Sequence, residues 1–435
     1  MLWTVVVRGE LSRGLRMEAL ATTEWTWVLH SSLLIAAIYG RFTKLWSVRN
    51  LDLLLLIGLT PALFVYDSFP WILYSVSVLL AVRLIFDCRF MRRPRVEPNL
   101  NVYGLSFLCI AAFVVLVIRV INVEPSLALA EQAENVLEQR ATATADSDPT
   151  TTLVASQALA ISKKVNPRSA ELVAMQIVAV FAHAAVVLGL LLLGYKHFDN
   201  FTLGISMAAL YLLLPCTAFY VHRVNHAVPA AFLIWAFVFY KRPLIAGSML
   251  AFACGALFST IFLLPLWAAF YGRKRLVRFG TGLAIVGAVL TVPLMLTSVP
   301  DTVTGKLLAS MNWSLVRILN VEAYSTAESL QQLLRPHFMI VFFCVFLTLT
   351  IWPRQKELGH LIAHSTVLVV LSQLWYPETP GVYVLWYLPV LLLVAFRPRL
   401  RHLVAADDPI EATRLAPVRE TPSSRPTVPQ SPLRR

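Results

Sequence analysis

Residues 241–275 read KRPLIAGSMLAFACGALFSTIFLLPLWAAFYGRKR. The run from Leu244 to Phe270 is apolar, and positive charge stands at both its ends. Lys241 and Arg242 precede it, and Arg273, Lys274, Arg275 and Arg278 follow it. Lys and Arg collect in the cytoplasmic loops of membrane proteins, so a single crossing would leave one cluster on the wrong side. Two full crossings need about twenty residues each, and the run is too short for that. A re-entrant pair of half-helices at 244–270, entering and leaving on one side, satisfies both clusters. Gly247, Gly255, Ser259 and Thr260 suit the close packing and the turn that such a pair needs. Non-helical backbone at that depth is tolerated where protein or a water-filled cavity surrounds it.

Outward from this run the same composition continues. Hydrophobic residues make up 58% of the 435 and charged residues 14%, with a mean hydropathy of +0.69. A soluble domain carries nearer a quarter charged residues, so the chain reads as an integral membrane protein whose partners include membrane lipids. The net charge of +13 is spread over short patches at the ends of apolar runs. That is the positive-inside pattern, and it excludes a continuous nucleic-acid face. None of the five cysteines falls in the two long polar loops, so no disulfide framework is expected. They also lack zinc-ligand spacing; no cofactor is expected and no divalent metal is indicated. Arg41, Lys44 and Arg49, not a small-residue cleavage site, follow the first apolar span, so no cleavable leader is expected.

The fold class expected is all-α: a polytopic transmembrane helical bundle of about eleven full spans plus the re-entrant pair. An amino-terminal segment (1–20) precedes a first transmembrane group (21–121) and an external loop (122–171). A central transmembrane group (172–298) contains the re-entrant pair. A second external loop (299–336), a last transmembrane group (337–397) and a disordered basic cytoplasmic tail (398–435) complete the chain. Arg8, Arg13 and Arg16 break the charge pattern, and a start at Met17 would remove them. Arg83, one helical turn before Asp87, is placed for a local ion pair at the membrane edge.

The external loop carries amphipathic helices. Ala130, Ala133 and Leu137 fall on one helical face and Glu131, Glu134 and Glu138 on another. A second helix is expected over Leu153–Lys164, before Pro167. In the second external loop, Leu307, Met311, Leu315 and Ile318 share a face of a helix over Lys306–Leu319.

His222, Arg223, Asn225 and His226 stand together between two apolar spans. One reading makes them a phosphate-binding corner, because Arg gives bidentate charge-assisted bonds to phosphate. The other makes them a tight polar turn facing water. His183 lies within a span, where an ionisable group is either functional or a neutral ring bonded to a neighbour. Glu378, between Tyr376 and Trp386, reads either as a residue of the same external cavity or as a capped loop.

The order of elements resembles polytopic glycosyltransferases of the GT-C superfamily. The likeness covers roughly 120–396 and is best from Arg242-Pro243 through Ala246-Gly247 to Leu263-Leu264-Pro265, followed by Arg273-Lys274-Arg275. Where the family often has Lys and Pro in mid-stretch, this chain has Leu257 and Thr260. It is similar, too, to bacterial multi-pass membrane proteins sharing the late stretch. The resemblance implies a polyprenyl-phosphate sugar donor and hexosyl or mannosyl transfer on the external face of the bacterial inner membrane; the charge pattern, with Arg397, Arg399 and Arg401 inside, puts the carboxyl terminus in the cytoplasm. It also implies a carboxylate early in the first external loop, acting as general base or metal ligand. Glu124 is nearest to that position, where the family usually has Asp. An ordinary interfacial carboxylate is the other reading of Glu124. A transporter or lipid flippase, or a membrane assembly protein without chemistry, fits the same composition.

Overall fold

The computed structural model describes residues 24–66, 68–89, 96–122, 125, 127–138, 148–296, 330–375, 383–398, 400 and 403. Among them every regular element is a helix. The expected helix over Lys306–Leu319 and the segments 1–20 and 404–435 lie outside the described residues.

Helix α1 covers 24–39, α2 Val48–Phe64, α3 Pro70–Ile85 and α4 Val102–Asn122. The short α5 (Ala128–Leu137) and α6 (Pro149–Val165) follow, then α7 (Ala170–Lys196), α8 (Phe201–Leu213), α9 (Pro215–Phe219), α10 (Val224–Val238) and α11 (Pro243–Ala256). The last four are α12 (Leu263–Leu296), α13 (Leu330–Ile351), α14 (Leu358–Ser372) and α15 (Val384–Phe396). Three segments, 102–122, 167–196 and 334–351, are long and apolar enough to cross a membrane, and six helices of 10–17 residues are apolar but shorter. This is consistent with a membrane protein.

Hydrogen bonds and ring contacts sort the helix termini into two ends. At the first, Arg49 Nε and Asn99 Nδ2 donate to the Tyr39 and Ala37 carbonyls, satisfying acceptors that the end of α1 leaves open. His197 Nε2 reaches the Val238 carbonyl at 2.9 Å, joining the ends of α7 and α10. At the second, Phe64 packs between Trp25 and Phe219, Tyr74 stacks on Phe338, and Arg335 Nε donates to the Trp375 carbonyl. The first end carries Arg41, Lys44, Arg49, Lys196, Lys241, Arg242 and Arg273–Arg275. We call it the basic end and the other the far end.

The stretch 243–271 folds back on itself. Helix α11 stops at Ala256, Leu257 is extended, and Phe258–Phe262 form a 3-10 turn. The returning arm of α12 brings the Tyr271 hydroxyl to the Tyr240 carbonyl at 2.7 Å, so the two basic flanks meet. The chain then reverses at Gly272, whose φ of 62° and ψ of −179° belong to a region that essentially only glycine occupies. The rest of α12 runs beside α11. A Cβ on Gly247 would meet the Phe279 carbonyl, one on Gly282 the Leu244 carbonyl, and one on Gly255 the side chains of Thr150 and Leu290. These glycines permit backbone contact where a larger residue would hold the helices apart. The 3-10 turn is seated by Phe262, which lies edge-on to Phe342, Phe343, Phe346 and Trp375.

Helix α15 is buried along its whole length and α14 at every residue but His360, while α4 presents Tyr103, Phe107, Ile110, Val114 and Ile118 outward. An all-apolar helix is stable in either place, in a core or against hydrocarbon. Helix α6 starts at Pro149, four residues before its expected start, because proline is pre-organised for the first helical position. Ala130 and Ala133 of α5 are buried as expected, but Leu137 is exposed. Lys163 of α6 reaches Glu134 at 2.6 Å, so part of the acidic face of α5 is bound to its neighbour. Beyond α15, Leu400 is buried and the Leu403 carbonyl accepts from Leu358 N–H.

Candidate functional site at the far end

The polar turn between α9 and α10 is held from beneath. Proline 215 opens the five-residue α9, and Cys216 N–H donates to the Thr60 hydroxyl. The Thr217 hydroxyl donates to the Tyr211 carbonyl at 2.6 Å. His183, fully buried in α7, lies with Nε2 at 3.2 Å from the Val221 carbonyl and Nδ1 at 2.7 Å from the Tyr211 hydroxyl. A carbonyl only accepts, so Nε2 carries the proton, and Nδ1 of the neutral ring accepts from Tyr211.

Above this support the four polar residues of the turn separate. His222 is half-buried, Arg223 and Asn225 are exposed, and His226 is buried. The Arg223 carbonyl accepts from the amides of His226 and Ala227, which opens α10. His226 therefore points into the bundle, where its ring lies 4.4 Å from that of Tyr383. Burial, then the charges of Arg223 and of Arg119 from the last turn of α4, lower the pKa of His222 from its ordinary value. The sequence did not single out Arg119. It joins the turn only because α4 packs against α8.

Glu124 and Glu378 lie outside the described residues. Their flanks are described: α4 ends at Asn122, and the chain resumes at Tyr383 against His226. What the described far end offers chemically is a cationic corner of Arg119 and Arg223, whose charges, with burial, keep the nearby His222 ring neutral, beside exposed Asn225. Such a corner suits an anion, and guanidinium donors suit phosphate oxygens in particular. Among the described residues no group of three His, Cys, Asp or Glu side chains converges for a metal.

A second polar constellation lies near the basic end. Arg83 Nε and Nη2 face the two Asp52 oxygens at 2.7 and 2.8 Å. Arg83 Nη1 donates to Asp87 Oδ1 at 3.2 Å. Arg397 Nε donates to Asp87 Oδ2 at 2.9 Å, with Nη2 on the same oxygen. The Arg83–Asp87 pair expected from spacing is thus the middle of a four-residue chain. Asp52 and Arg397 escaped the sequence reading because their partners Arg83 and Asp87 lie 31 and 310 positions away.

The class defined here is an all-helical bundle of apolar helices with a cationic corner at one end and a buried ion chain near the other. Comparison with protein-family models, with curated proteins and with solved structures finds no match to this chain.

Proposed function

We propose that this protein is an integral membrane glycosyltransferase of the GT-C type, moving a sugar from a polyprenyl-phosphate donor to an acceptor at the far end. The observation that carries the reading is the cationic corner, in which the charges of Arg223 and Arg119 both bear on His222, on a turn anchored by His183. In this reading Arg223 and Arg119 hold the donor phosphate, and Asn225 and His222 line its approach. Glu124, two residues beyond α4, is the base for the acceptor hydroxyl, and Glu378 lines the same cavity. A base needs hydrogen-bond reach and a suitable pKa.

The basic end then faces the cytoplasm, with about eleven spans and 243–271 re-entrant from that side. The contact between Tyr271 and Tyr240 supports that placement. The carboxyl terminus is cytoplasmic, and the membrane is the inner membrane of a bacterium. The test is sugar transfer by the purified protein in vesicles supplied with labelled polyprenyl-phosphate sugars. A lipid flippase or transporter is the competing reading, favoured by the buried ion chain near the opposite end. Uptake or lipid translocation without transfer would select it, and silence in both assays would select an assembly role.

A further inference from the structure

We infer that the chain Asp52–Arg83–Asp87–Arg397 is a registration latch, seating the first helix group on the carboxyl-terminal pair α14–α15 in a single register. The inference does not depend on sugar chemistry. All four residues are at least nine-tenths buried, with exposures of 7%, 8%, 0% and 6%. Two carboxylates and two guanidinia make the set neutral. Arg397 is the contribution of α15's end, and the three other members belong to α2, α3 and the turn after α3.

The seat for Arg397 is built. A Cβ on Gly359 of α14 would run into the Arg397 guanidinium. The backbone there is not left-handed, so what Gly359 supplies is room for the guanidinium rather than a special conformation.

Stability alone does not explain such a chain. Apolar side chains of similar volume hold a bundle as well as a buried ion pair does, whereas ion pairs add specificity of register. The surroundings make register a real problem. Leu56, Leu80, Leu84, Leu391 and Val394 line a small cavity beside Asp52 and Arg83. One Leu substitutes for another at little cost when helices slide by a turn. The charge chain closes in one position only. Helix α15 is buried throughout and joins Arg397 to Tyr383, which lies on His226. Fixing Arg397 therefore fixes Tyr383 at the far end.

The test uses the full chain in nanodiscs with two cysteine pairs, Leu84→Cys with Val394→Cys and His226→Cys with Tyr383→Cys. Cross-linked peptides are identified by mass spectrometry so that native thiols do not confuse the result. Arg397→Gln and Asp87→Asn each leave the buried set with one charge in excess, and each should lower the melting midpoint. The double variant Asp87→Asn/Arg397→Gln keeps the Asp52–Arg83 pair and is again neutral. It should recover most of the midpoint yet lose most of the cross-link at both pairs. A double variant that keeps both cross-links at full yield overturns the latch. So does one whose midpoint loss equals the sum of the two single losses.

Discussion

His183 and Val221 are joined across the bundle: the imidazole Nε2 donates to the carbonyl of a residue one position before the polar turn. The ring's other nitrogen is taken by Tyr211. Replacing His183 by Leu strands both partners in a fully buried site. An unsatisfied buried polar group costs about 1–3 kcal/mol, so we expect a loss in that range or above it in detergent melts. Tyr211→Phe strands only Nδ1 and should cost less. Equal midpoints for His183→Leu and the parent would show that the turn is held by something else.

The folding back of 243–271 is legible in the sequence because charge and small residues carry it: two basic flanks, with Gly247, Gly255, Ser259 and Thr260 between them. The ion chain is not legible. Asp87 and Arg397 are 310 positions apart, and Arg397, with Arg399 and Arg401 at the end of an apolar run, looks like any positive-inside cluster. One signal was present, namely Asp52, a carboxylate ahead of the apolar run Leu53–Leu56. The site divides in the same way. The clustering of His222–His226 is visible in the order of residues, but which way each side chain turns is set by where α10 begins. Arg119 and Tyr383 carry no local signature, since Arg and Tyr at span ends are ordinary interfacial residues.

The glycines of α11 and α12 give a graded prediction. Gly247→Ala and Gly282→Ala push a methyl into backbone, and overpacking of this kind costs about 1–3 kcal/mol. Gly272→Ala has open space around it but a left-handed φ, and the strain should cost about 1–2 kcal/mol. Gly280→Ala and Gly287→Ala meet nothing within 4 Å and should leave the melting midpoint unchanged or raised. A reversed ranking would contradict the way α12 lies on α11.

His222 provides a pH dependence. Its folded pKa lies below the ordinary value, chiefly through burial and then through Arg223 and Arg119. Below the unfolded pKa of about 6.5 the unfolded chain therefore binds more protons than the folded one. Stability is full above that value and declines as pH falls through it toward the folded pKa. Arg223→Ala and Arg119→Ala should each raise the His222 pKa toward its ordinary value, as read by NMR of labelled histidine. An unchanged titration in both variants would separate these arginines from the turn.

The central claim is phosphate recognition by the cationic corner, and sugar transfer in reconstituted vesicles tests it most directly. With a polyprenyl-phosphate sugar donor, the parent protein should transfer label to a lipid or glycan acceptor. Arg223→Ala should reduce transfer by about tenfold or more at an unchanged melting midpoint, the loss expected for one charged hydrogen-bond partner. Arg223→Lys should retain part of the activity, since it keeps charge but not the bidentate fork. Transfer by Arg223→Ala at the parent rate, or no transfer by the parent from any such donor, would contradict the account.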